Sequence, residues 1–167
     1  MILAFDTHYR EQQAKTVCIC FENWTDDKPL HVYTAITADV ADYEPGSFYK
    51  RELPCILNLF SSITLQQINY IVIDGFVTLD DHGKKGLGGY LYEALENKIP
   101  IIGVAKNNFH GNEKHVIPLY RGDSARPLYI SAVGITKETA AQHIQSMTGA
   151  YRMPHLLKHL DTMTKEQ

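Results

Sequence analysis

The sequence lacks a run of eighteen apolar residues, an excess of basic residues, and cysteines at metal-ligand spacing. No membrane-spanning helix is therefore expected, and the first residues have neither the basic start nor the long apolar stretch of a signal peptide. The three cysteines are expected to be reduced and mostly buried, which favours a cytoplasmic location. The net charge of −3 argues only mildly against nucleic-acid binding, because a carboxylate cluster lowers the total while local basic residues still face a substrate.

The 167 residues have the composition of one globular domain, with 44% hydrophobic and 21% charged residues, so a single domain over 1–167 is expected. Apolar and β-branched runs predict strands, and apolar residues at helical spacing predict helices. The predicted strands cover 1–6, 15–22, 30–37, 70–74, 100–105 and 127–132, and the predicted helices cover 49–62, 86–97, 136–147 and 154–162. This order predicts an α/β fold whose mixed sheet has antiparallel hairpins first and parallel strands after, flanked by helices.

Two carboxylates, Asp6 and Asp74, follow predicted apolar strands, and Glu52 lies between them near the start of a predicted helix. Ligand sites in open α/β sheets cluster at the carboxyl ends of strands. Two like charges side by side are costly unless a cation neutralises them, and Mg²⁺ prefers carboxylate and water oxygens. Each aspartate alone is also compatible with a simple turn residue, whereas the joint pattern favours a cation site. Lys106, directly after a strand, is either positioned to reach a phosphate or an ordinary surface lysine.

Seven short motifs follow one another along nearly all of the chain. They are Phe5-Asp6-Thr7-His8-Tyr9, Tyr43-Glu44-Pro45-Gly46 with Arg51-Glu52, Ile73-Asp74-Gly75, Gly86-Leu87, Ile102-Gly103-Val104-Ala105-Lys106, Arg126-Pro127-Leu128-Tyr129-Ile130-Ser131, and Tyr151-Arg152-Met153-Pro154 with Asp161. In this order they resemble the endonuclease V family, which has a ribonuclease H-like fold and a carboxylate metal site. The resemblance identifies the chain as a short, divergent member.

The resemblance implies an endonuclease that hydrolyses a phosphodiester bond 3′ to inosine or deoxyinosine, a deaminated base, in DNA or RNA. It implies that Asp6, Glu52 and Asp74 bind one or two Mg²⁺ ions, with Mn²⁺ as a substitute, and that Lys106 steadies the scissile phosphate. It also implies a wedge that enters the base stack and small residues beside the flipped base, a substrate-binding set of Tyr43, Pro45, Gly46, Phe48, Gly75 and Gly103. A nucleic-acid strand is the expected partner, and a monomer is favoured.

The sequence departs from the family in the base-reading pocket and at a fourth active-site group. The family's His or Asp after a Ser-Pro-Gly turn has no counterpart after Ser131, so this group is expected to be missing. Val77 stands at a family glycine and is expected to crowd the pocket. Asp81 and His82 are either substitute ligands or, in the preferred interpretation, part of a solvated turn. Two alternatives stay open: a catalytically weak homologue that binds nucleic acid or protein, and a nuclease of the same fold with a different target.

Overall fold

The structure, a computed structural model, describes residues 1–45, 47–64 and 67–167. Its strands are β1 (Ile2–Arg10), β2 (Gln13–Phe21), β3 (His31–Thr37), β4 (Tyr70–Asp74), β5 (Ile101–Ala105), β6 (Ile117–Leu119) and β7 (Leu128–Val133). Its helices are α1 (Tyr49–Phe60), α2 (Leu87–Ala94), α3 (Lys137–Ser146) and α4 (His155–Lys165). The strands form one sheet in the order β3-β2-β1-β4-β5-β7-β6.

The predicted α/β class with a mixed sheet is confirmed. The strands β1, β2 and β3 pair in antiparallel fashion, and β1, β4 and β5 run parallel to one another. The expectation of parallel strands after the hairpins fails at β7, which runs antiparallel to β5 and pairs with β6, a strand that the sequence pattern missed. With only three residues, one of them Pro118, β6 is too short to carry a periodic signal.

The central strands are buried on both faces because helices cover each side of the sheet. Helices α1 and α2 pack on one face, and α3 and α4 pack on the other. Side chains alternate between these two cores. Ala4, Val72 and Val104 belong to the core beneath α3 and α4, whereas their neighbours Phe5 and Ile73 belong to the core beneath α1 and α2.

Helix α4 is amphipathic, with Leu156, Leu157, Leu160 and Thr164 buried along one face. It packs across β1 and β2 and carries Asp161 between the buried positions. Asp161 therefore points toward the carboxyl end of β4, where β1 and β4 separate. The three cysteines are free and buried, as expected. Among the described residues, no helix is both long and apolar enough to cross a membrane.

In the described part of the chain, strand β3 forms one edge of the sheet and has β2 as its single partner. On its face away from α1 the side chains of Val32 and Ile36 are 47% and 59% exposed, whereas α4 packs on β1 and β2. The strand therefore presents both an open hydrogen-bonding edge and an uncovered apolar strip.

Candidate active site

Asp6 and Asp74 lie side by side at the point where β1 and β4 separate. In the parallel register Phe5 pairs with Ile73, and the two aspartates are the next residue along each strand. The prediction that Asp6 ends its strand is wrong, since β1 continues to Arg10 as half of a hairpin with β2. The position at the end of the parallel pair is nevertheless the one predicted, because pairing with β4 stops one residue before Asp6.

The Asp6 carboxyl is 8% exposed and accepts a 2.9 Å hydrogen bond from the Thr7 main-chain N–H. Burial, followed by repulsion from Asp74, raises the pKa of Asp6 from an ordinary 3.8 to about 7. Asp161 raises this pKa further, while Lys106 lowers it. The site thus holds more negative charge than its own lysine neutralises.

Glu52 lies in the first turn of α1 and is 3% exposed. Burial first, and then repulsion from Asp74 and Asp6, raises the pKa of Glu52 well above its ordinary value. Its neighbour Arg51 lowers this pKa and lies with its guanidinium carbon 3.6 Å from the centre of the Tyr9 ring. Glu52 is thus coupled electrostatically to the two strand aspartates, although α1, which carries it, lies on the face of the sheet opposite α4.

The Asp74 side chain is exposed, but it opens into a concave site where surrounding protein limits its hydration. This burial raises the pKa of Asp74, Asp161 raises it further, and the Lys106 ammonium group opposes the rise. Asp161 differs, because its 3.1 Å ion pair with Lys165 and the charge of Lys106 outweigh the effect of burial and leave its pKa lowered.

Asp161 is the site residue whose role the sequence interpretation missed. A fourth group was expected after Ser131 and judged absent. The Ser131 hydroxyl instead accepts a 3.0 Å hydrogen bond from the Val77 main-chain N–H, and α4 supplies the fourth carboxylate from the other side of the cavity. The available signal was the aspartate nine residues after Arg152 in the last family-like motif.

A cavity of about 570 Å³ lies between the sheet and α4, and Asp6, Asp74, Asp161 and Lys106 line it. The first three supply negative charge at one end of the cavity, and Lys106 supplies a cation beside them. A polyanionic phosphodiester requires such compensation, because carboxylates alone would repel it. Lys106 is therefore brought to the predicted site; Glu52 adjoins it without lining this cavity.

The loop over the cavity is held by a buried arginine. Arg121 is 4% exposed, and in the described part of the chain its hydrogen-bond partners are all main-chain carbonyls. The N···O distances run from 2.5 to 3.3 Å, to the oxygens of Met147, Gly149, Tyr151 and Arg152. Because one rigid guanidinium satisfies four carbonyls, it fixes the path of the chain into α4 and hence the placement of Asp161.

The predicted wedge residues lie in the segment before α1. Tyr43 is 59% exposed and Phe48 is 38% exposed, and Pro45 is also exposed. Gly46 falls outside the described residues. Tyr43, Pro45 and Phe48 do not line the cavity beneath α4.

Gly75 and Gly103 meet different steric demands. Gly75 has a φ of +131°, in the region that favours glycine, while the space around it is open. At Gly103 a Cβ would lie 2.5 Å from the Gly75 carbonyl oxygen and 2.6 Å from the Ser131 hydroxyl oxygen. Glycine at 103 is thus required for close approach within the protein itself, and a role beside a flipped base stays a prediction.

Val77 does not project freely toward a pocket. Its side chain is 4% exposed and packs against α2, where a Cβ on Gly88 would lie 2.7 Å from the Val77 Cγ2. The expectation that this valine narrows a base-reading pocket therefore finds no support in its packing.

The acidic turn after β4 connects two loops. The Asp81 carboxylate accepts hydrogen bonds from the main-chain N–H groups of Glu113 and Lys114, at 2.8 and 2.7 Å. Asp80 accepts from the N–H groups of His82 and Lys84 within its own turn. These bonds lower the pKa of both aspartates and support the turn interpretation over that of substitute metal ligands.

The oxygen-rich site fits a hard divalent cation in its donor chemistry. Within residues 1–45, 47–64 and 67–167, no three carboxylate, imidazole or thiol groups already stand together as a finished ligand set. Mg²⁺ does not require one, since it keeps several waters and commonly binds through one or two carboxylates. Burial, followed by repulsion from neighbouring carboxylates, raises the pKa values of Asp6, Glu52 and Asp74, and a bound cation would oppose this rise.

A mixed sheet of this order, with carboxylates where β1 and β4 part and a further one on the last helix, defines a ribonuclease H-like fold. The sequence model of the endonuclease V family matches residues 1–123, and the chain belongs to this family. Endonuclease V of Rhodospirillum centenum is 29% identical over 145 residues, which cover 75% of this chain. The match spans 59% of the length of that relative.

Two solved structures share the fold over 98% of this chain. Human endonuclease V has a TM-score of 0.75 at 20% identity, with 82% of its chain covered. Endonuclease V of Ciona intestinalis, solved with a 24mer DNA containing an inosine followed by a ribo-adenosine, has a TM-score of 0.77 at 18% identity, with 84% covered. The expected family and fold are thereby confirmed.

Proposed function

We propose that this chain is a metal-dependent endonuclease that hydrolyses a phosphodiester bond 3′ to inosine or deoxyinosine in DNA or RNA, in repair or processing of the nucleic acid. The observation that carries the proposal is that Asp6 and Asp74, with pKa values raised by burial and by neighbouring carboxylates, share a cavity with Lys106, while both repel the adjoining buried Glu52 and raise its pKa. Perturbed acids that share a cavity with a cation are typical of a catalytic site. Family membership supports the same activity.

Asp6, Glu52 and Asp74, with Asp161 opposite, would hold the ion, most simply Mg²⁺ with Mn²⁺ as a substitute. The bound ion would supply Lewis-acid stabilisation of the attacking and leaving oxygens and a water of lowered pKa. Lys106 would balance the charge that develops on the scissile phosphate. Asp161, whose pKa is lowered by its hydrogen bond with Lys165 and by Lys106 against the effect of burial, would accept hydrogen bonds from water or substrate.

The base-recognition part of the proposal rests on the segment before α1. Tyr43 and Pro45 are exposed and free of the core, as a wedge entering a base stack requires. Phe48, Gly46, Gly75 and Gly103 would border the flipped base. The inosine-containing DNA in the Ciona intestinalis structure supports this choice of target. We also propose that the protein is cytoplasmic and monomeric and forms a single domain.

A cleavage assay tests the activity and its specificity together. Labelled single strands of DNA and RNA, with and without one inosine, are incubated with protein in Mg²⁺, Mn²⁺ or EDTA. We expect cleavage of inosine strands that requires the ion. Cleavage of plain strands at the same rate would retain a nuclease but remove the specificity, and no cleavage of any strand at high protein concentration would overturn the proposal in favour of a binding protein.

The Asp74→Ala variant separates catalysis from folding. It should abolish cleavage without lowering the melting temperature, because removing one of several repelling carboxylates relieves repulsion. The matched control is Asp27→Ala, which removes an exposed carboxylate from the β2–β3 loop at the opposite end of the sheet. A large fall in the melting temperature of Asp74→Ala would mark Asp74 as structural.

A further inference from the structure

The cavity beside the carboxylates is larger and more apolar than phosphate chemistry requires. Its volume of about 570 Å³ lies within the range of roughly 300–1,000 Å³ typical of small-molecule sites. Ala4, Val72 and Val104 form its floor on the sheet, and Leu157 and Leu160 of α4 close it from above. All five side chains are at least 92% buried, so they support the walls, and the apolar lining residues that are not buried are Ala150, Tyr151 and Met153. Its acidic lining residues are Asp6, Asp74 and Asp161.

The rim of the cavity has the opposite character. Lys106, His155 and Lys158 line it and are exposed, so their polar ends are available to an anionic chain outside. Tyr151, at 80% exposed, also lines the cavity and offers an uncovered aromatic face at its mouth. Arg152 is fixed there by bonds to the Lys106 and Pro127 carbonyls. Apolar interior, aromatic mouth and basic rim therefore occur together within one site.

In a nucleic acid the only large surfaces without charge are the faces of the bases. A phosphate or sugar gains little from the apolar surface of Ala150, Tyr151 and Met153, whereas an unstacked base recovers there part of the apolar contact that it loses in the stack. The basic rim complements the phosphates on either side of such a base. The contrast between interior and rim thus selects a nucleotide unit of a strand over a free anion.

We propose that this cavity receives one unstacked nucleobase of the substrate strand, a neighbour of the scissile phosphate and distinct from the deaminated base. The inference rests on the proposed nuclease function. The two proposed base sites use different residues: α4 covers this cavity, whereas Tyr43, Pro45 and Phe48 of the proposed wedge region do not line it. Gly103 also faces away from the cavity, since its neighbours Ile102 and Val104 belong to the core beneath α4.

A fluorescence scan tests the proposal without requiring cleavage. The fluorescent base 2-aminopurine replaces, one position at a time, each base flanking inosine in a single strand, and each strand is titrated with the full-length Asp74→Ala protein in Mg²⁺. At one flanking position, and not at its neighbours, we expect a severalfold rise in emission as the base leaves the stack. The same position should be the one where an abasic nucleotide reduces wild-type kcat/KM.

Two variants assign the signal to the cavity. Leu157→Phe places a larger side chain in the interior and should abolish the rise in emission. Tyr151→Ala removes the aromatic face at the mouth and should weaken binding about tenfold, the usual effect of losing one base–aromatic contact. Tyr120→Ala, which removes a tyrosine that is 59% exposed and does not line the cavity, is the matched control and should leave binding unchanged.

The outcomes separate this inference from the proposed function. Inosine-directed cleavage by wild type without any position-specific rise in emission, or with a rise that both Leu157→Phe and Tyr151→Ala leave intact, overturns the base site and retains the nuclease. A rise that both variants reduce, in a protein that cleaves no strand, retains the base site and overturns the nuclease. If circular dichroism reports that Leu157→Phe is unfolded, the exposed position Tyr151 decides the matter alone.

Discussion

Replacing Asp6 with asparagine probes the electrostatic cost of the acidic site in the metal-free protein. Asparagine keeps the oxygen that accepts the Thr7 N–H but removes the charge that burial and Asp74 disfavour. The folded protein, in which the pKa of Asp6 is about 7, holds this proton more tightly than an unfolded chain with the ordinary 3.8. Wild-type protein therefore loses stability as the pH rises through this interval, and Asp6→Asn escapes that loss.

The magnitude follows from the pKa difference. At about 1.36 kcal/mol for each pKa unit, the interval from 3.8 to about 7 amounts to about 4 kcal/mol when Asp6 is fully ionised. Between pH 5 and pH 8 about 2–3 kcal/mol of this loss should develop. The unfolding free energy of Asp6→Asn should therefore exceed that of wild type by more at pH 8 than at pH 5, by this amount.

The assay is urea unfolding of both proteins in EDTA at the two pH values. The histidines titrate in both proteins, so their contribution cancels in the difference. Asp27→Asn, an exposed carboxylate far from the site, is the control and should track wild type. Added Mg²⁺ should stabilise wild type at pH 8 more than Asp6→Asn. A difference between Asp6→Asn and wild type that is the same at pH 5 and pH 8 would refute the electrostatic account.

Three further changes test separate parts of the molecule. Arg121→Met should lower the unfolding free energy by about 3 kcal/mol, because it leaves buried carbonyls without a charged donor. A loss under about 0.5 kcal/mol in chemical denaturation would contradict a stabilising role for the bonds from Arg121 to these carbonyls. Gly103→Ala should cost about 1–3 kcal/mol from overpacking against Gly75 and Ser131, measured by thermal unfolding, and an unchanged melting temperature would contradict it. Tyr43→Ala should raise the Kd for an inosine strand more than it lowers kcat, and unchanged affinity would count against a wedge.

The sequence predicted the buried strands well because apolar runs report burial directly. Tyr70–Asp74 was predicted with its observed bounds, since a continuous apolar run ending in a carboxylate leaves little ambiguity. The extension of β1 beyond Asp6 was missed because residues 7–10 are polar, and their strand conformation comes from pairing with β2 rather than from burial. Strand direction is also absent from such patterns, which explains why the antiparallel course of β7 emerged only from the structure.

In the candidate site, too, the residues placed by apolar strands were predictable, and those placed by long-range packing were not. Asp6 and Asp74 were predictable because adjacent parallel strands bring their ends together whatever the loops do. The role of Asp161 depends on how α4 crosses the sheet, which Arg121 and its bonds to the preceding loop determine over long range. Similarly, the burial of Val77 against Gly88 depends on the packing of α2 and not on local sequence.

The open edge of β3 bears on how the protein behaves when concentrated. The strand has no lysine, glutamate or proline, the residues that commonly keep edges apart. A two-fold axis through Thr34 would set Val32 of one copy against Ile36 of another, and no charge would meet its like. The opposite edge of the sheet is β6, where Pro118 lacks the N–H needed for a further ladder. Self-association through β3 would therefore close at pairs rather than grow into fibres.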